Sequence, residues 1–236
     1  MFKHDEKTYL ITNWHILAGR KPKTRAVLHG SGGLPTLIRV HFPLDGQVTQ
    51  QSIQTYPLQG SDGSALWIEH PSSDAVDVAA LEIQPPQGIA TVYISEAVRA
   101  PGLRPRDTFF SVTQEVWVIG FPLGIRVRGL PIWKRATIAS EPGFSGAESP
   151  HRVLLDTATR QGMSGSPVLF VTNSVNRLTF DGSTQEVDLP SAHVLLGIYS
   201  GRITGEDEFA AQIGIAWGAE CIEELLSAGG PYRTAA

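Results

Sequence analysis

Gly162-Met163-Ser164-Gly165-Ser166-Pro167 is the stretch on which the reading of this chain turns. A serine between glycines suits a nucleophilic turn, because the glycines let the backbone bend tightly and present bare N–H groups to a reacting carbonyl. A serine hydroxyl is a poor nucleophile at neutral pH. It needs a neutral imidazole to take its proton and a buried carboxylate to orient that imidazole. Two upstream stretches supply them: Thr12-Asn13-Trp14-His15 closes an apolar run, and Asp77-Val78-Ala79-Ala80-Leu81-Glu82-Ile83 opens another. The order along the chain is His15, Asp77, Ser164.

These three stretches resemble the catalytic motifs of the trypsin-like (chymotrypsin-fold) serine peptidases, in the disulfide-free bacterial style, which share that order. Pro131-Ile132-Trp133-Lys134-Arg135-Ala136-Thr137-Ile138 is similar to an early strand of the family's second barrel, and Leu196-Gly197-Ile198-Tyr199-Ser200-Gly201 to its substrate-pairing strand. The resemblance covers nearly the whole chain. It implies an all-β fold of two six-stranded antiparallel Greek-key barrels with a C-terminal helix. Residues 1–98 are expected to form the first barrel with His15 and Asp77, residues 99–110 a linker, and residues 111–236 the second barrel with Ser164 and the helix.

The function that the resemblance implies is a serine endopeptidase acting on polypeptides through an acyl-enzyme, with no cofactor. The competing expectation is a catalytically weak or inactive module that binds extended peptides by strand addition along Ser200-Gly201-Arg202. His15 is the expected general base, and the N–H groups of Gly162 and Ser164 are the expected oxyanion hole. Ser200 is expected to donate to Asp77. The pocket for the residue before the cut would be lined by Ala158 and Thr159, with Ser200, Gly201, Arg202 and Gln212 to Gly214 on the opposite wall. No acid lies there, so a small or apolar guest is expected, or an acidic one if Arg202 turns inward. Met163 stands where zymogen-activated relatives carry an aspartate, so no activating cleavage is expected. Only about a turn and half a strand precede Tyr9, so the expectation is either that the first barrel lacks its N-terminal edge strand or that the natural start lies upstream.

Bulk composition fits this class. The chain has 236 residues, 42% of them hydrophobic and 18% charged, which describes an ordinary globular protein able to bury a core. A net charge of -4 provides no basic field for nucleic acid. No apolar stretch approaches the roughly 20 residues that span a bilayer, and no signal-type segment follows the charged start, so a cytoplasmic location without membrane contact is the expectation, with export the alternative if the natural start lies upstream. The oligomeric state leaves no sequence signal.

The 24 glycines and 16 prolines punctuate short β-branched and aromatic runs. Strands are predicted near 8–12, 37–42, 64–69, 77–83, 115–121, 132–140, 152–157, 166–172, 193–203 and 211–217. Arg99 to Arg106 has linker composition. Ile222, Leu225 and Leu226 share helical spacing, which places the single cysteine, Cys221, in the core. Asp74 rivals Asp77 on composition, but only Asp77 directly precedes Val-Ala-Ala-Leu. The remaining histidines show no metal-ligand spacing, so no metal site is expected, and His70 with Asp74 reads as a turn around Pro71-Ser72-Ser73.

Overall fold

The computed structural model describes residues 1–90, 93–94, 110–141, 151–172, 175–178, 184–187, 192–203 and 212–232. The predicted linker at 99–106 lies outside the described residues, as does all of 99–110 except Phe110.

In the first half, β1 (Phe2–His4) and β2 (Lys7–Thr12) form a hairpin that leads into the short helix α1 (Trp14–Ala18). A long hairpin follows, β3 (Leu37–Leu44) and β4 (Gln47–Pro57), turned at Gly46 with φ +67°, where only glycine is free of strain. Next come β5 (Trp67–Glu69) and β6 (Ala79–Glu82).

The second half begins with β7 (Glu115–Gly120), β8 (Ile132–Ile138), β9 (Arg152–Asp156) and β10 (Pro167–Thr172). It continues with the outlying hairpin β11 (Val175–Leu178) and β12 (Thr184–Val187), then β13 (Ala192–Arg202) and β14 (Ile213–Gly218). Helix α2 (Glu220–Ala228) and the short strand β15 (Gly230–Pro231) complete the order.

Six strands of the second half close into an antiparallel barrel, β10-β13-β14-β9-β8-β7. The period-2 alternation of β7 turns Val116 and Val118 inward against Ala136, Ile138, Val153, Leu155, Val168, Leu196 and Ala216. Each valine, leucine or isoleucine among them stabilises the fold by about 1.5–3 kcal/mol when fully buried.

The first half is built differently. Its strands form a five-stranded sheet, β1-β2-β6-β5-β15, and the separate β3–β4 hairpin, so among the described residues hydrogen-bonded pairing closes one barrel and leaves the other open. Trp14, Leu17, Phe42, Leu58, Trp67, Leu81 and Ile83 fill the space between sheet and hairpin. The short N-terminus does supply an edge strand, because Asp5 and Glu6 both take positive φ (46° and 62°) and fold β1 tightly back on β2.

Helix α2 buries Cys221, Ile222 and Leu225 and turns its glutamates outward, as its spacing predicts. Burial pushes the Cys221 thiol far up from its ordinary range. No helix among the described residues is long and apolar enough to cross a membrane.

Candidate active site

His15 is presented by α1 at the end of β2. Trp14, wholly buried, anchors the helix: its indole N–H donates to Glu69 (2.7 Å), and its ring meets Trp67 and Tyr232 edge-on. Gly19 ends the helix in the left-handed region (φ +63°), its N–H bonded to the His15 carbonyl. The neighbouring Asn13 does not cap the helix. Its side-chain amide donates to the Asp77 carbonyl (2.8 Å), tying the two segments together.

Asp77 is 4% exposed, and a carboxylate so placed is costly unless donors surround it. Three do. The His15 backbone N–H donates to Oδ1 (2.9 Å), His15 Nδ1 to Oδ2 (2.6 Å), and the Ser200 hydroxyl to Oδ2. Because the carboxylate accepts from Nδ1–H, the other ring nitrogen, Nε2, keeps its lone pair and is poised to accept a proton. The rival Asp74 is 87% exposed at its side chain and pairs with Arg25 at the surface.

Ser200 reaches Asp77 through a β-bulge. The register of β13 on β14 slips between Tyr199 and Gly201, so Ser200 has no partner in the ladder and turns toward the other half of the molecule. Its carbonyl faces the remaining site residue: Ser164 Oγ donates to the Ser200 carbonyl at 2.8 Å. Among the described residues, no hydrogen bond joins Ser164 Oγ to His15 Nε2, so the four groups connect in the sequence His15, Asp77, Ser200, Ser164.

The Ser164 turn depends on its glycines. Gly162 has φ +91° and Gly165 φ +82°, and a Cβ on Gly162 would lie 2.7 Å from the Phe121 carbonyl. Met163, the residue before Ser164, is fully buried in the barrel core, so apolar packing holds this turn from beneath. The N–H groups of Gly162 and Ser164 have no acceptor among the described residues, whereas that of Gly165 is bonded to the Tyr199 carbonyl (2.8 Å).

The expected specificity pocket is altered. Thr159 is 2% exposed, and its hydroxyl is hydrogen-bonded to the phenol of Tyr199. That phenol lies against Gly214, where an added Cβ would sit 2.6 Å from the ring. Tyr199 thus fills the space between Thr159 and Gly214, and Thr159 is closed to a guest; burial raises the phenol's pKa. Ala158, Ser200, Gly201 and Arg202 stay partly exposed beside it. The reading of the sequence missed Tyr199 as a filler because its position on an apolar strand reads as core.

On the other side of Ser164, a groove of about 450 Å³ opens between β3 and the loop 121–131. His41 Nδ1 is bonded to Gln51 Oε1 (3.0 Å), and Gln51 Nε2 donates to the Gly129 carbonyl (3.1 Å), so the groove's two walls are linked.

A second histidine joins the halves elsewhere. His70, 2% exposed, accepts the Ser72 N–H at Nδ1 (3.0 Å) and meets Glu224 of α2 through Nε2 (3.1 Å). His151 contacts the other oxygen of Glu224 (2.9 Å). The turn expected at Pro71 to Asp74 is present, with the N–H groups of Ala75 and Val76 bonded to the Ser72 carbonyl. No group of three or more metal-binding side chains occurs among the described residues.

Compared with known proteins, residues 2–175 match the family model described as trypsin-like peptidase domain. No curated protein matches the chain. Among solved structures, the active form of the Rv3671c protease from M. tuberculosis is 18% identical and aligns over 97% of this chain and 72% of its own, with a TM-score of 0.46. The HtrA-type protease AlgW with decapeptide is 17% identical over 94% of this chain and 48% of its own, with a TM-score of 0.45. The chain spans about half the length of the latter.

Proposed function

Because this chain belongs to the trypsin-like peptidase domain family, we propose that it is a serine endopeptidase using His15, Asp77 and Ser164. His15 Nε2 takes the Ser164 proton as Oγ attacks the scissile carbonyl, and Asp77 stabilises the imidazolium. The N–H groups of Gly162 and Ser164 hold the oxygen that becomes negative. Collapse of the intermediate breaks the C–N bond, and His15 returns the proton to the leaving amine. Water, deprotonated by the same imidazole, then hydrolyses the acyl-enzyme.

The observation that carries this reading is the buried Asp77 carboxylate bonded to Nδ1 of a histidine whose Nε2 is free for a proton. The Ser164 hydroxyl donates to the Ser200 carbonyl. A substrate strand offering its own N–H to that carbonyl releases the hydroxyl to turn toward Nε2, in keeping with catalytic hydrogen bonds that tighten only on binding.

The same resting bond favours a second reading, a binding module that captures extended peptides along Ser200 to Arg202 without cutting them. Covalent labelling by a fluorophosphonate separates the two. We expect Ser164 to be modified, and Ser164→Ala to abolish labelling and peptide hydrolysis together. Hydrolysis retained in that variant would overturn the assignment, while peptide binding without labelling would favour the module.

A further inference from the structure

We propose that this protein selects substrates on the leaving-group side of the cut, through a groove that takes an apolar residue followed by an acidic one. The inference rests on the peptidase reading above, and two observations carry it.

The first lies before the cut. Tyr199 occupies the space between Thr159 and Gly214, so a side chain entering from the acyl half of a substrate meets a buried phenol in place of a deep pocket. Discrimination there is limited to accepting small residues.

The second lies after it. A polypeptide whose acyl half runs along Ser200 to Arg202 leaves Ser164 on the opposite side, where the groove of about 450 Å³ begins at Ser164 and Gly165. Leu10, Ile38, Val40 and Leu130 give it an apolar lining, while Arg39 and Arg126 supply cations. No aspartate or glutamate lines it, in a chain whose net charge is -4. Apolar walls with cations of one sign complement an apolar residue next to a carboxylate. The bond from Gln51 to Gly129 fixes the spacing of the two walls, so the groove exists before substrate arrives.

The test uses the full chain. Internally quenched peptides with alanine before the cut carry leucine directly after it, and then glutamate, glutamine or lysine scanned over the next positions. We expect kcat/KM for glutamate to exceed that for lysine about tenfold at its best position, the size of one to two partly exposed ion pairs, and to converge with it at high salt. In Arg39→Glu with Arg126→Glu the order reverses. Binding of the leaving-group halves as labelled peptides to the Ser164→Ala chain, read by fluorescence anisotropy, shows the same order without needing catalysis. Cleavage or binding indifferent to the charge, or no binding of any of these halves, overturns the inference while labelling of Ser164 leaves the peptidase reading standing. Absence of both labelling and cleavage sinks the peptidase reading itself.

Discussion

Of the histidine–carboxylate pairs among the described residues, the one at the candidate site and the one that links the first half to α2 are built in opposite senses. At His15 and Asp77 the carboxylate is the sheltered partner, with side chains 6% and 21% exposed for acid and imidazole. At His70 and Glu224 the imidazole is sheltered and the carboxylate faces water, at 2% and 47%. A buried acid with three donors is a fixed negative charge that orients a ring whose other nitrogen stays available. A buried ring with both nitrogens engaged has no proton-transfer capacity left and serves as a fastener.

The largest expected effect tests the first pair. Asp77→Asn should lower kcat by about 10⁴, because an amide can hold His15 in the wrong tautomer while leaving the fold intact. Steady-state peptide hydrolysis beside a circular dichroism spectrum checks it; a loss under tenfold would remove Asp77 from the mechanism.

His70→Ala should do the reverse. Truncating a buried, hydrogen-bonded ring costs about 2–3 kcal/mol, a fall in Tm of roughly 4–12 °C for a chain of this size, with kcat changed only a few-fold. A catalytic loss as large as that of Asp77→Asn, at unchanged Tm, would make the two pairs equivalent and defeat the contrast.

The smallest effect is in pH. Burial lowers the His70 pKa from its ordinary 6.5, with the Glu224 carboxylate opposing that shift and His151 adding to it. The unfolded chain therefore binds a proton near pH 6.5 that the folded chain takes up only at lower pH. This contribution to stability is complete above about pH 6.5 and is lost as the pH falls below it. Urea midpoints should fall between about pH 7.5 and 5.5, and His70→Gln should lessen that decline. An equal decline in the variant would assign the acid sensitivity to other groups.

How much of this was legible beforehand follows the same physics. The six strands of the closed barrel could be read because burial of one face forces alternation, as in β7 and β8. The three site motifs could be read because their chemistry restricts residue type. Strand β4, Gln-Val-Thr-Gln-Gln-Ser-Ile-Gln-Thr-Tyr-Pro, escaped notice because it is mostly polar and largely exposed, so nothing in its pattern separates it from a loop. The β1 hairpin was missed because Asp5-Glu6 lacks the asparagine–glycine signature of its turn. His70 read correctly as part of a turn, but its partner is 154 residues away, a separation no local pattern encodes. Tyr199 shows the same limit, since its role is set by Thr159 and Gly214 on two other segments.

The strand that follows α2 crosses back to the first half, where Gly230 and Pro231 pair with Glu69 and Ile68 and Tyr232 stacks on Trp67 at 4.5 Å. It acts as a belt buckled from the second half onto the first. Swinging the halves apart would unzip that pairing and unstack those rings at once, and would bare the β5 edge to foreign strands. The spacing of the two halves, and with it the reach of Ser200 to Asp77, is thereby held by pairing at the far end of the chain as well as by the packed cores.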